Sequence, residues 1–424
     1  MKAYIPHAKR GIAMIGGNIA NFVFTLARNK LLAIYLGPTG IGLIALINNL
    51  NETGAAASGT GICDAYNREL ARSRTGFTDK EIVSSGIGIF LVLLSLVLPM
   101  IFGLYFFVVQ SDSSSIIVIV GLTIAGASAG IWRLLSGIYL GFGLSRAMFQ
   151  AVVIGAIANL AAAGLLLWLG IREPIAFVAT TPVLLVIIGL ISLAGRIKGM
   201  IIWEAIRKMP ARKPIMAIAL PIMLGLLLEP LTTFYLRSVA AAKFGEIALG
   251  VIQPGLQLGM LVSALWNAFL GMTIVRWDQS REKPFSSKFV MLAFTSIAIP
   301  LIGASIAFGM VPLWATVVSV LFTTEFIPGV ITIPWFLAGE ACRMSGIMLN
   351  HTFLSRDMGM LTVIPRIFCL LLTIIAINIG FSSNILQISQ VYALAYASYL
   401  AITFSLWLWL QFRLQRLAQK SYIS

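Results

Sequence analysis

The sequence predicts an all-α polytopic membrane protein with twelve transmembrane helices in two six-helix lobes around a central cavity. Three observations carry this reading. Hydrophobic residues make up 59% of the 424 positions and charged residues only 11%, against roughly 25% charged in soluble domains. Apolar runs of about 20 residues, the length that crosses a bilayer, recur along the chain. The basic residues gather on alternate loops, as the positive-inside rule requires.

The predicted spans are 12–36, 39–62, 83–109, 115–142, 147–170, 174–195, 214–236, 246–273, 288–310, 328–351, 358–379 and 386–411. With an even number, both termini lie on one side. That side then carries 22 of the 30 Lys and Arg residues, the opposite side Arg172, Arg237 and Lys243, and the spans themselves Arg28, Lys30, Arg133, Arg343 and Arg366. The asymmetry places both termini in the cytoplasm. It also accounts for most of the formal charge of +15, so nucleic acid is not an expected partner.

The chain divides into an N-terminal lobe (1–195), a basic cytoplasmic linker (196–213) and a C-terminal lobe (214–424) with a short basic tail. The linker, Arg196 to Pro214, alternates Met200, Ile201, Trp203, Ile206 and Met209 with basic residues. It reads either as a helix lying on anionic headgroups or as a solvated connection between lobes. Val311 to Phe322 is apolar but too short to span, which suggests an interfacial or re-entrant segment. The competing assignment, a tenth span at 312–338, would carry Glu325 into the bilayer. Met1 to Arg10 is short and basic and no small-residue cleavage site follows the first apolar run, so that run is expected to stay as a signal anchor.

The first two spans form a hairpin around Gly37-Pro38-Thr39-Gly40. Helical spacing aligns Asn18, Asn21, Thr25 and Arg28 on the first helix, and Asn48, Asn51 and Glu52 on the second. A charge at mid-bilayer costs roughly 2.5–3.5 kcal/mol on insertion scales, so each needs a partner, an aqueous cavity or a nearby interface. Lys30 and Arg133 lie where they can snorkel. Arg28 lies deeper and reads as cavity-facing, with a structural pair to Glu52 as the alternative. Glu229 precedes Pro230 within span 7, where the helix is expected to bend or break. Gln253, Gln257 and Asn267 share a face of span 8. Glu340 and Arg343 are one turn apart in span 10, and Arg366 follows Pro365 in span 11. Pointed at one cavity, these groups leave surplus guanidinium, which suits an anionic substrate because Arg binds phosphate in a bidentate way.

No nucleotide-binding G-x-x-x-x-G-K-[ST], metalloprotease H-E-x-x-H or channel T-V-G-Y-G pattern occurs. Three scattered cysteines and two distant histidines offer no metal site, so neither enzymatic activity nor a cofactor is expected.

The segment Asn29 to Leu43, NKLLAIYLGPTGIGL, resembles the first hairpin of Wzx-type polysaccharide flippases of the multidrug/oligosaccharidyl-lipid/polysaccharide exporter superfamily, such as the O-antigen and lipid III translocases. Ala57 to Ile62 resembles the small-residue end of that family's second helix. Trp335 to Arg343 is similar to its aromatic, Gly-acid, then basic pattern, with Glu340 and Arg343 where the family often has Asp and Lys. The resemblance implies a bacterial inner-membrane protein that translocates an undecaprenyl-diphosphate-linked oligosaccharide from the cytoplasmic to the periplasmic leaflet by alternating access, for O-antigen lipopolysaccharide, lipid III or similar polysaccharide biosynthesis. It implies a diphosphate held by Arg28 with Arg343 or Arg366, and sugar hydroxyls met by Asn18, Asn21, Asn48, Gln253 and Gln257. Lys30 and Glu52 complete the expected substrate set, and Glu229 or Glu340 would couple a proton or cation gradient. A polysaccharide polymerase and a chain-length regulator are the implied protein partners. The alternatives are a cation-coupled multidrug antiporter of the same superfamily and a non-transporting scaffold of a glycan assembly complex.

Overall fold

The computed structural model describes residues 4–72, 76–109, 116–197, 199–278, 287–354, 356 and 358–423. Nearly all of these are helical. The first helix, α1 (Tyr4–Ala55), is broken at Gly37, whose φ of 62° and ψ of −171° lie in a region essentially reserved for glycine. Pro38 then opens the second helical stretch, where its missing N–H costs nothing. The expected four-residue turn is therefore a one-residue break.

The second stretch does not end at 62. It passes through a π turn (Ala56–Thr60) into α2 (Gly61–Arg72). There follow α3 (Asp79–Val109), α4 (Ile116–Gly141), α5 (Ser145–Trp168), α6 (Pro174–Ile197), the short α7 (Trp203–Lys208), α8 (Arg212–Phe244) and α9 (Glu246–Asp278). Then come α10 (Ser287–Gly309), α11 (Val311–Leu321), a 3-10 segment (Thr324–Thr332), α12 (Ile333–Leu354), α13 (Val363–Asn378) and α14 (Ile385–Ile423). Ten segments among the described residues are long and apolar enough to cross a membrane. One of them, Ile19–Leu70, is divided by Gly37 into two helices, and α12 is long enough but diluted by Glu340 and Arg343. Twelve membrane helices result among the described residues, in a multi-pass membrane protein.

Several boundaries differ from expectation. The tenth helix starts at Ile333 rather than 328, and Glu325 sits exposed in the 3-10 segment ahead of it. With 11 residues, α11 reaches about 16 Å, half a bilayer core, and Trp314 Nε1 ties it back to the Ala307 carbonyl at 2.9 Å. The helix α8 runs unbroken through both Pro221 and Pro230, so no break accompanies Glu229. It also extends beyond 236, which makes Arg237 a buried helix residue and not a loop residue. Lys2, Arg74, Lys198, Arg281 and Lys283 lie outside the described residues, as do the side chains of Lys9, Arg10, Arg72, Arg196, Arg276, Lys288 and Lys420.

By backbone contacts the chain forms two compact units. One comprises Ile12–Gly250 with Leu321–Thr323, and the other Met1–Gly11, Val251–Val320 and Thr324–Ser424. The main division thus falls after Gly250 and not at 196–213, because α8 packs on α2 and α3. In the first unit α4 packs against α2 and α6, and α5 against α6. Its core gathers Ile62, Tyr66, Phe90, Leu135, Tyr139 and Ala219. In the second, α12 lies between α10 and α14, with Met348, Leu349, Phe353, Trp407 and Leu410 at its core.

The first unit also contains an internal correspondence not anticipated from the sequence. Gly245 between α8 and α9 has φ 80° and ψ 173°, the conformation of Gly37. Five residues after each lies a second glycine, Gly42 and Gly250. A Cβ on Gly42 would press on Leu249 and the Gly250 nitrogen, and one on Gly250 would collide with the Pro38 carbonyl. The two turns are thus packed on each other through matching positions, as expected where the span 1–2 and span 7–8 hairpins are repeats.

Candidate functional site

In the first unit the predicted polar stripes separate by surroundings. Arg28 is buried, 5% exposed, and its Nη2 donates to the Phe177 carbonyl at 2.8 Å. It makes no ion pair among the described residues, so the alternative pairing of Arg28 with Glu52 is not formed. Lys30 Nζ donates to the Phe322 carbonyl just past the last residue of α11, where helix carbonyls lack internal partners. Arg237 Nη1 donates to the Ala45 carbonyl at 2.5 Å. Three cations in apolar helices are thus held on main-chain carbonyls. Asn21 is half-buried, and the Asn18 side chain lies outside the described residues.

Glu52 pairs instead with Arg133 of α4, at 2.7 Å. This pair is open: the side chains are 58% and 39% exposed. Asn48, one turn before Glu52, is exposed on the same face, whereas Asn49 and Asn51 are buried. Asp64 of α2 lies within electrostatic range of both Arg133 and Arg68. The group sits beside the π turn at Ala56–Thr60, where Ser58 and Thr60 hydroxyls bond the Gly54 and Ala55 carbonyls. Such turns recur at functional positions because they re-aim the side chains around them. Sequence reasoning missed Asp64 and Arg68 because it ended the second helix at 62. It read Arg133 as a snorkelling residue because its partner lies 81 positions away.

In the second unit Glu340 is 3% exposed and fully engaged. Its Oε2 accepts from Arg343 Nε at 2.9 Å and from Ser263 Oγ, and forms an ion pair with Arg343 Nη2 at 2.8 Å. Tyr392 donates to Oε1. Arg343 Nη2 also bonds Ser263 Oγ at 2.9 Å. Tyr392 begins a ladder on α14: Tyr392–Tyr396 ring centroids are 4.7 Å apart and Tyr396–Tyr399 6.1 Å. At its far end Asn350 Nδ2 donates to the Tyr399 hydroxyl at 2.5 Å, and the Arg366 guanidinium lies 5.9 Å from the Tyr399 ring centre. Arg366 is itself buried and donates to the Thr362 carbonyl at 2.9 Å. The ladder was visible in the sequence as tyrosines at i, i+4 and i+7 of an apolar helix. Gln253 is buried and Gln257 half-buried on α9, and the Asn267 side chain lies outside the described residues. Glu229, in the first unit, is half-buried in α8. No cluster of three or more potential metal ligands occurs among the described residues.

Solved structures share this fold. The chain is similar to an inward-facing multidrug resistance MATE family transporter of the MOP superfamily, with a TM-score of 0.66, 17% identity, and coverage of 97% of this chain and 99% of the other. It is equally similar, at 0.66 and 19% identity, to an outward-facing MATE family transporter, covering 97% and 96%. A Pyrococcus furiosus MOP superfamily transporter, described as having a binding pocket of reversed polarity, matches with a TM-score of 0.63, 19% identity, and coverage of 97% and 96%. The chain therefore has the MATE transporter fold. No protein-family model matches the sequence, and no curated protein matches it significantly.

Proposed function

We propose that this protein is an alternating-access transporter that moves an anionic, lipid-linked oligosaccharide from the cytoplasmic to the periplasmic leaflet of the inner membrane. The observation that carries this is the open Arg133–Glu52 pair with Asn48 beside it, on helices otherwise apolar enough to lie in lipid. Exposed ionised side chains on membrane helices need water, so this face borders an aqueous path. There Arg133 offers a guanidinium to a diphosphate, and Asn48 and Glu52 offer partners to sugar hydroxyls. Arg28, first among the sequence candidates, ties α1 to α6 through the Phe177 carbonyl instead. The fold adds support, since its relatives include inward-facing and outward-facing transporters. In this reading a proton or cation gradient acting through Glu229 or Glu340 supplies the energy.

The test is a null strain complemented with variants, measuring the lipid-linked glycan left on the cytoplasmic leaflet. Arg133→Ala should leave that glycan accumulated at normal protein levels, and Arg133→Lys should restore part of the flux. Full flux in Arg133→Ala removes the diphosphate role. A second reading is a cation-coupled multidrug antiporter, favoured by the greater exposure of Glu52 than of Arg133. It predicts expression-dependent resistance to cationic drugs that Glu52→Gln abolishes, with no glycan accumulation in the null strain.

A further inference from the structure

The connection between α6 and α8 is built as a docking surface. Ser84 and Ser85, near the start of α3, hold it from within. Ser84 Oγ accepts from the Ile202 N–H at 2.9 Å and donates to the Met200 carbonyl at 3.3 Å, and Ser85 Oγ accepts from the Ala211 N–H at 3.1 Å. Ala205 and Ile206 of α7 turn inward and are buried, and a Cβ on Gly88 of α3 would collide with the Ile206 carbonyl. Met209 ends α7 in the left-handed region, φ 46°, a conformation costly for a side-chain-bearing residue. Its N–H bonds the Ala205 carbonyl at 2.9 Å, so the turn between Lys208 and Arg212 is fixed by hydrogen bonding despite that cost.

The outward side is of two kinds. Ile201, Ile202 and Trp203 are 52%, 38% and 70% exposed. Beside them Arg207, Lys208, Arg212 and Lys213 are exposed, against one acid, Glu204, which Lys208 already holds at 2.6 Å. Four positive charges against one negative leave a strongly basic rim around an apolar patch. The segment lies between the last residue of one membrane helix, Ile197, and the first of another, Arg212, so a bilayer surface is within a few residues of every part of it.

We infer that residues 200–213 form a binding surface for the headgroups of anionic phospholipids, with Ile201, Ile202 and Trp203 inserted at the acyl boundary and Arg207, Lys208, Arg212 and Lys213 on the phosphates. Tryptophan suits that depth because its ring is apolar and its N–H polar. A juxtamembrane basic cluster is drawn to an anionic leaflet and weakened by salt. The inference rests on the membrane-spanning fold and is independent of the substrate proposed above.

The experiment uses the full-length protein in nanodiscs of phosphatidylcholine with or without phosphatidylglycerol. Native mass spectrometry counts the phosphatidylglycerol retained after detergent extraction. Wild type should retain it over phosphatidylcholine. The combined R207Q, K208Q, R212Q and K213Q variant should bind it roughly tenfold more weakly, a conservative figure for four charges at a screened surface. In parallel, Trp203 emission is isolated as the difference between wild type and Trp203→Phe. Quenching by lipid brominated on the acyl chain supports insertion. Quenching by aqueous iodide but not by brominated lipid overturns it, as does unchanged phosphatidylglycerol retention in the fourfold variant. If that variant does not fold, the quenching measurement decides alone, because Trp203 is largely exposed and its replacement leaves the packing intact.

Discussion

Removing the Glu340 carboxylate tests a buried charge network. Glu340 and Arg343 have side-chain exposures of 5% and 16%, so neither is rescued by bulk water. In Glu340→Ala the guanidinium loses the Glu340 carboxylate, and the Ser263 and Tyr392 hydroxyls lose an acceptor. Breaking a buried pair from one side costs about 3–5 kcal/mol, most of it the penalty of the charge left behind. Arg343→Ala should cost a similar amount by stranding the carboxylate. The double variant Glu340→Leu/Arg343→Met removes both charges and should cost less than either single change, since apolar replacement of a buried pair is often neutral. Thermal unfolding in detergent, followed with a thiol-reactive dye, suits this protein because Cys63 and Cys369 are buried in the folded state and become reactive on unfolding. A coupling energy of about 2–3 kcal/mol is expected between the two sites. Additive single and double effects would refute the reasoning, because they would mean that the two side chains do not share one network.

Gly37→Ala places a Cβ in a backbone region essentially closed to it and should destabilise by about 1–3 kcal/mol, visible as a lower unfolding midpoint. Gly250→Ala forces a methyl into the Pro38 carbonyl and should cost at least as much, whereas Gly103→Ala, with open space around it, should be close to neutral. Ser84→Ala and Ser85→Ala each leave a backbone N–H of the α6–α8 connection without its partner, worth about 1–3 kcal/mol where it stays dry. Hydrogen exchange should show amides 200–211 losing protection while α4 and α6 keep theirs. Arg28→Ala should lower stability and flux together, since Arg28 braces the Phe177 carbonyl, while Arg133→Ala should lower flux alone. Complementation scored beside the amount of folded protein separates the two.

Much of the architecture was legible in the order of residues. A bilayer imposes a length and a polarity on each helix, so hydropathy located most of them, while the tenth also leaned on the family resemblance; the brevity of Val311 to Phe322 marked it as non-spanning. The helix ends were less legible. The π turn at Ala56–Thr60 consists of small residues, Gly59 among them, that read as a helix end, so the continuation into α2 and the position of Asp64 stayed hidden. Arg237 looked like a loop residue because nothing local distinguishes a charge beyond the membrane from one buried on a distant carbonyl.

What the sequence by itself determined is the inventory: which helices cross the membrane, and which polar groups they must carry into it. The tertiary structure decided which of those groups remain available. Arg28, Lys30 and Arg237 each donate to a backbone carbonyl, 149, 292 and 192 residues away. Glu340 and Arg343 are enclosed with Ser263 and Tyr392, while Glu52 and Arg133 stay open. The physical reason is that helical periodicity fixes the face a side chain leaves from, but the carbonyl or carboxylate it meets belongs to whichever helix packs there. That choice is set by contacts distant in sequence, such as the glycine-to-glycine packing of the turns at Gly37 and Gly245.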